Sequence, residues 1–212
     1  MVRLACILIG YIFGLFQTSY LYGRLNGIDI RDHGSGNAGT TNALRTLGKK
    51  AGAITFLGDC FKCYFAVVLV KGLFGESHPD MKVLLGMYGA LGVILGHNFP
   101  CYLKFRGGKG IAATAGLFLG LDPVLTLIAM FTFIGLVALT RYVSLGSIVV
   151  VIELIAGVLI YGFRGKWGMP APYLYELYGI TAFLTGMALY RHRANIRRLL
   201  TGTERKIGER AE

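Results

Sequence analysis

Gly34 to Thr41 reads GSGNAGTT, a Gly-x4-Gly-Thr-Thr spacing. Nucleotide-binding P-loops use this spacing to wrap backbone N–H groups around phosphates, with a lysine just before the hydroxyl residue. Here Thr40 stands at the lysine position, so an anion held by this loop must draw positive charge from elsewhere. Gly34, Gly36 and Gly39 permit positive φ and close approach of N–H groups to an anion. Ser35, Asn37, Thr41 and Asn42 add side-chain donors among them. Thr40–Leu47 is expected to form a short helix whose N-terminus points at the same place, capped by a nearby Ser, Asn or Thr. Arg45 follows as a bidentate donor one turn on. A plain flexible turn would not account for so many interleaved donors.

A second anion-friendly loop, Gly107-Gly108-Lys109-Gly110, brings the lysine that the first one lacks, and Lys104 lies just before it. His97 and Asn98 stand near the end of an apolar run, where an unpaired polar group is costly. Ser144 belongs to a third polar stretch, RYVSLGS, and His192 and Asn195 to a fourth, RHRANIRRL. His192 and Asn195 are three apart and share a face if the helix before them continues. His97 and His192 are the candidate general bases. Arg193, Arg197 and Arg198 suit snorkelling at a membrane interface. Asp59 and Lys62, also three apart, are expected to pair inside an apolar span, and Glu153 stands in another. Charges at such depth cost roughly 2.5–3.5 kcal/mol, so each wants a partner. Cys60-x-x-Cys63 lies in an apolar run without a second pair and reads as small filler; no metal site or disulfide framework is expected.

These residues must be positioned by membrane helices. Of 212 residues, 54% are hydrophobic and 16% charged, and mean hydropathy is +0.58, a composition of an integral membrane protein. One transmembrane domain over residues 1–212 is expected, all-α. Apolar segments fall at about 2–22, 51–70, 83–103, 111–121, 123–140, 147–163 and 173–190, most of them near the ~20 residues a spanning helix needs. The first reads as a retained helix, not a signal peptide, because no small-residue cleavage site ends it. Asp122-Pro123 is either a tight turn between two spans or the tip of a re-entrant segment. Seven spans are expected, with five or six as the alternative.

Placing the N-terminus outside puts sixteen Lys and Arg on the inner side and five on the outer. The positive-inside rule therefore sets the N-terminus out and the C-terminus in the cytoplasm. The net charge of +11 follows from basic inner loops facing anionic lipid, and no motif suggests nucleic-acid binding. The same orientation collects the four polar stretches, with His33, His97 and His192, on the inner face. A transporter with an inner anion site, or a subunit that binds anionic headgroups, is the alternative class. The first would need polar residues through several spans, and the second leaves the ordered Gly/Asn/Thr sets unexplained.

GSGNAGTTNALR, GHNFPCYLKFRGGKGIAAT and HRANIRRLLTGTERK, with RYVSLGS between the last two, resemble the bacterial acyl-phosphate:glycerol-3-phosphate acyltransferases, the PlsY type. The resemblance spans most of the chain. It implies transfer of a fatty acyl group from acyl phosphate to the 1-hydroxyl of sn-glycerol 3-phosphate, without a cofactor, at the cytoplasmic face of the bacterial inner membrane. The lipid bilayer and the enzyme that produces acyl phosphate are the implied partners. The chain lacks His-x4-Asp, the motif of the thioester-using glycerol-phosphate acyltransferases. Two phosphate-bearing substrates need two anion sites. Ser35, Gly36, Asn37, Gly39, Thr41 and Asn42, with Gly107, Gly108, Lys109 and Gly110, are expected to hold acyl phosphate. Arg45, Lys104, Ser144, His192 and Asn195 are expected to hold glycerol 3-phosphate, with Ser35, His97, Lys104 and His192 at the reacting centre. No histidine–carboxylate pair is visible in sequence, which favours proton removal by the substrate's own phosphate. Nothing near Ser35 in sequence would activate it for a covalent acyl intermediate.

Overall fold

A computed structural model describes residues 1–209, and helices account for the regular structure among them. Arg210, one of the sixteen inner charges, lies outside the described residues. The first apolar segment is not one helix. It forms α1 (Val2–Leu15) and α2 (Thr18–Leu25), separated at Phe16 and Gln17, with Phe16 in an extended conformation. Gln17 is the cause. Its buried amide donates to Gly14 O at 3.0 Å, Gly96 O at 3.3 Å and His97 O at 3.1 Å. One side chain thus satisfies carbonyls that two helix ends leave without intrahelical partners.

The chain continues through α3 (Thr40–Leu47), α4 (Lys49–Phe74), α5 (Lys82–Asn98), α6 (Ile111–Leu121), α7 (Pro123–Thr140), α8 (Val143–Phe163), α9 (Ala171–Arg191) and α10 (Arg193–Leu200). α5 is the core helix, buried along most of its length and packed by α1, α4, α6 and α9. α1 and α5 touch backbone to backbone. A Cβ on Gly92 would come within 2.1 Å of Ile7 O, and one on Gly10 within 2.0 Å of Gly89 O. Small residues along both helices permit that approach, as expected where apolar lipid gives no hydrophobic drive to helix association. α7, by contrast, is almost bare of protein contact on its outer faces.

Asp122-Pro123 proves to be a tight turn. Asp122 caps α7, accepting from Val124 N at 2.9 Å and Leu125 N at 3.0 Å, with Pro123 in the first turn. The same carboxylate takes Tyr161 Oη at 3.0 Å and Lys166 Nζ at 3.1 Å, clipping the α6–α7 turn to the α8–α9 loop. A second clip at that end joins Arg3 of α1 to Glu176 of α9 at 2.5 Å, with Tyr88 of α5 donating to the same carboxylate. The four polar stretches gather at the opposite end. Helices α1 and α2 together, and α4 to α9, run between the two ends among the described residues. Five are long and apolar enough to cross a membrane. The pass at α6 has 11 residues, and α9 carries Glu176 within its 21.

Asp59 and Lys62 pair at 2.8 Å as their spacing predicts. Glu153 differs: its Oε2 has no partner among the described residues. Cys60 and Cys63 are buried filler against α6, where a Cβ on Gly116 would meet Cys60 O at 2.0 Å.

Candidate active site

The first loop is shaped by Asn42. Its Nδ2 donates to Ile30 O and His33 O, both at 3.0 Å, and its Oδ1 accepts from Ser35 N at 2.9 Å. The Asn42 amide is expected to hold an anion, but both of its N–H groups are committed to backbone carbonyls, so it builds the loop instead of contacting a ligand. Gly34 (φ 62°) and Gly36 (φ 68°) adopt the left-handed turn, whereas Gly39 is extended and is itself the cap of α3, with no side-chain oxygen serving. The first turn of α3 therefore keeps amide N–H groups that no side chain caps. Asp29 and Arg31 brace the approach to the loop through a 2.6 Å ion pair. The Arg31 hydrogen bond holds the Asp29 carboxyl down to about 2.

The second loop leaves α5 through Pro100 and two consecutive left-handed residues, Lys104 (φ 56°) and Phe105 (φ 59°). Non-glycine residues there cost of order 1–3 kcal/mol each, and such strain is found at functional sites. Gly107 N donates to Asn98 O at 3.3 Å and Gly108 N to His97 O at 3.1 Å. From the other side Arg191 Nη2 donates to Gly107 O at 3.2 Å and Gly108 O at 2.6 Å. The N–H groups of these two glycines, expected to bind phosphate, are thus spent on the end of α5. Close approach is what the glycine at 108 provides. A Cβ there would lie 2.1 Å from His97 Nε2 and 2.7 Å from Ala38 O of the first loop.

α10 and the chain after it complete the site around Glu204, a buried carboxylate. Its Oε1 accepts from Asn195 Nδ2 at 2.7 Å and Ser144 Oγ at 3.0 Å, and its Oε2 from Arg198 Nε at 2.7 Å. Lys109 reaches across to Asn195 Oδ1. Burial, and then the nearby Arg198 charge, lowers the Lys109 ammonium to about 8. His192 is buried, its Nδ1 on Ala188 O at 2.8 Å. That bond puts the proton on Nδ1 and leaves Nε2 a lone pair. Burial first, and the Lys109 charge second, lower this imidazole to about 4, so it is neutral across the physiological range.

These parts enclose an open cleft of about 530 Å³ at the polar end of the bundle. Gly34 to Asn37, Arg45, Arg106, Gly107, Lys109 and Asn195 line it. Seven basic side chains face one carboxylate among the described lining residues. Such a site suits an anion of two or more negative charges. Lys104 is exposed but, like Thr41, Ser144, His192, Gly108 and Gly110, is not among the lining residues. His97 lies beneath the Gly108 backbone, 3% exposed. Sequence reasoning missed Glu204 and Arg191 and assigned Arg198 to the interface. The tail also carries Glu209 and Glu212, and nothing in the sequence sets Glu204 apart from them.

A fold built of apolar passes, with a basic cleft made from both glycine loops, narrows the comparison to membrane proteins that handle phosphate. Residues 4–202 match the sequence model of the family described as glycerol-3-phosphate acyltransferase. The chain belongs to the glycerol-3-phosphate acyltransferase family. The glycerol-3-phosphate acyltransferase of Clostridioides difficile (strain 630) is 45% identical over 206 residues, covering 96% of this chain and 95% of that one. The acyltransferase of Alkaliphilus metalliredigens (strain QYMF) is 41% identical, covering 99% and 98%. The crystal structure of PlsY (YgiH), an integral membrane glycerol 3-phosphate acyltransferase, in its glycerol 3-phosphate form superposes with a TM-score of 0.82 at 30% identity. It covers 98% of this chain and 96% of that one. The lysophosphatidic acid form of the same protein gives 0.80. This acyltransferase is membrane-embedded, and the all-helical reading holds.

Proposed function

We propose that this acyltransferase moves a fatty acyl group from acyl phosphate to the 1-hydroxyl of sn-glycerol 3-phosphate, releasing 1-acyl-glycerol 3-phosphate and inorganic phosphate. It works in the bacterial inner membrane, with seven spans, the N-terminus outside and the cleft in the cytoplasm. The observation that carries this reading is the strongly basic cleft at the polar end of an apolar bundle. The acyl tail stays among helices and lipid while both phosphates reach water. PlsY solved with glycerol 3-phosphate, and again with lysophosphatidic acid, supports the acceptor and product.

The first loop, through Ser35, Gly36, Asn37 and the uncapped start of α3 at Gly39 and Thr41, holds the acyl-phosphate group with Lys109. Arg45, Lys104 and Asn195, with Ser144 and His192 behind, hold glycerol phosphate. The acceptor oxygen attacks the acyl carbonyl carbon, the bond from that carbon to the phosphate oxygen breaks, and inorganic phosphate departs. The hydroxyl proton passes to a phosphate oxygen. A mixed anhydride has a good leaving group, so alignment and donors facing the developing oxyanion supply the catalysis. His192, neutral and lowered to about 4, is a weak base, which supports the substrate-assisted route.

Purified protein given palmitoyl phosphate and glycerol 3-phosphate is expected to release phosphate only when both are present, and palmitoyl-CoA is expected not to replace the donor. Absence of turnover in folded protein, or equal turnover with the thioester, refutes the assignment. Loss of turnover with log-linear dependence on pH when His192 alone is replaced refutes the substrate-assisted step.

A further inference from the structure

We propose that Lys62 is a positioning residue that holds His97 as its Nε2–H tautomer, making His97 a fixed hydrogen-bond donor at the seam between the two glycine loops. The consequence for turnover rests on the acyl-transfer reading above; the tautomer itself does not.

The ammonium of Lys62 sits where the α1–α2 break, α4 and the end of α5 meet. It contacts Phe16 O at 2.6 Å, Asp59 Oδ1 at 2.8 Å and His97 Nδ1 at 2.9 Å. Three N–H groups meet three acceptors, and an ammonium has nothing but donors to offer. His97 Nδ1 must therefore present its lone pair. The neutral ring then carries its single proton on Nε2. Asp59 is 3.7 Å from the same ring nitrogen, too far for a hydrogen bond of its own, and its Oδ1 also accepts from Thr18 Oγ1 at 3.1 Å. The carboxylate thus compensates the lysine charge and leaves the imidazole to the lysine. A protonated imidazole beside that ammonium would set two donors against each other.

The Nε2 edge faces the space that a side chain at 108 would fill, and Ala38 O faces the same space. In that place an N–H is complementary to the carbonyl of the first loop, whereas a bare nitrogen would oppose lone pair to lone pair. His97 also accepts Gly108 N–H through its own carbonyl at 3.1 Å. One residue therefore ties the second loop by its backbone and presents a donor to the first by its ring. Lys62 decides which kind of group that ring presents.

The test uses the full chain in detergent with ¹⁵N-labelled histidine. Two-bond proton–nitrogen correlations distinguish the tautomers, and the His97→Gln spectrum assigns the His97 signals by difference. Wild-type His97 is expected to show a protonated Nε2 and an unprotonated Nδ1. Lys62→Met alone strands the Asp59 charge, so Asp59→Asn with Lys62→Met is used, and it is expected to lose that single-tautomer pattern. In turnover assays the glutamine amide stands in for Nε2–H and the asparagine amide for Nδ1. His97→Gln is expected to stay within about tenfold of wild type and His97→Asn to fall about a hundredfold, the usual scale for one oriented donor. A protonated Nδ1 in wild type, an unchanged tautomer in the folded double variant, or equal activity of the two histidine variants overturns the proposal. Where the double variant does not fold, the wild-type spectrum and the Gln/Asn comparison decide. No turnover in wild type would refute the acyl-transfer reading alone, and the spectrum would still judge Lys62.

Discussion

Lys109 carries the charge that the first glycine loop lacks, and its surroundings set the pH range in which it carries it. Burial, then the Arg198 charge, lowers its ammonium to about 8. The free enzyme therefore presents a cation below that pH and loses it above. Raising the pH from 7 to 9 is expected to raise KM for the phosphate ligand it contacts by about tenfold, the scale of one charge-assisted hydrogen bond. Lys109→Arg keeps its charge throughout and is expected to remove that dependence; an unchanged alkaline rise in the arginine variant would exclude Lys109 as its source. The lysine was legible because glycine on both sides marks a loop that approaches an anion. Glu204 was not, because a carboxylate in a basic tail gains its meaning from Ser144, Asn195 and Arg198, which adjoin it only in the fold. Asn42 and the two glycines at 107 and 108 were legible as members of the site but not as its scaffold. Residue type gives donor capacity, whereas the partner that uses it is set by packing.

At the scale of elements, the boundaries of α3 and the position of each apolar pass followed from the sequence pattern. The break after α1 did not, because hydropathy continues through Phe16 and the interruption is made by the Gln17 amide bonding to carbonyls of α5. Nor does hydropathy tell a packing glycine from an idle one. Gly92 and Gly135 both lie in apolar helices, yet a Cβ at 92 meets Ile7 O at 2.1 Å while a Cβ at 135 meets nothing within 4 Å. Gly92→Ala must push the α1 backbone away and is expected to destabilise by about 1–3 kcal/mol. Gly135→Ala removes a flexible residue from a helix and is expected to be neutral or stabilising by up to about 1 kcal/mol. Thermal unfolding of the two variants in one detergent checks this. Equal shifts would show that α1 and α5 do not depend on their close contact.

For the whole molecule, the asymmetry of Lys and Arg predicted one end rich in chemistry, and the fold brings all four polar stretches to a single end. What charge counting cannot supply is the closing of that end into a cleft, which depends on Arg45 reaching Arg205 O at 3.0 Å and Arg191 reaching the second loop from 83 residues further along the chain. The proposed orientation has a direct test in the cysteines. Cys6, Cys60 and Cys63 are buried, and Cys101 is exposed at the cleft end between α5 and the second loop. A membrane-impermeant maleimide is expected to label Cys101 in inverted vesicles and to leave it untouched in intact spheroplasts. Ser77 is exposed at the far end, in the turn before α5. In a Cys101→Ser background, Ser77→Cys is expected to give the reverse pattern. Because the two sites lie at opposite ends of α5, reversed labelling of both would mean an inverted protein. Labelling of both from one side would mean that α5 does not cross the bilayer, and the seven-span arrangement would fail with it.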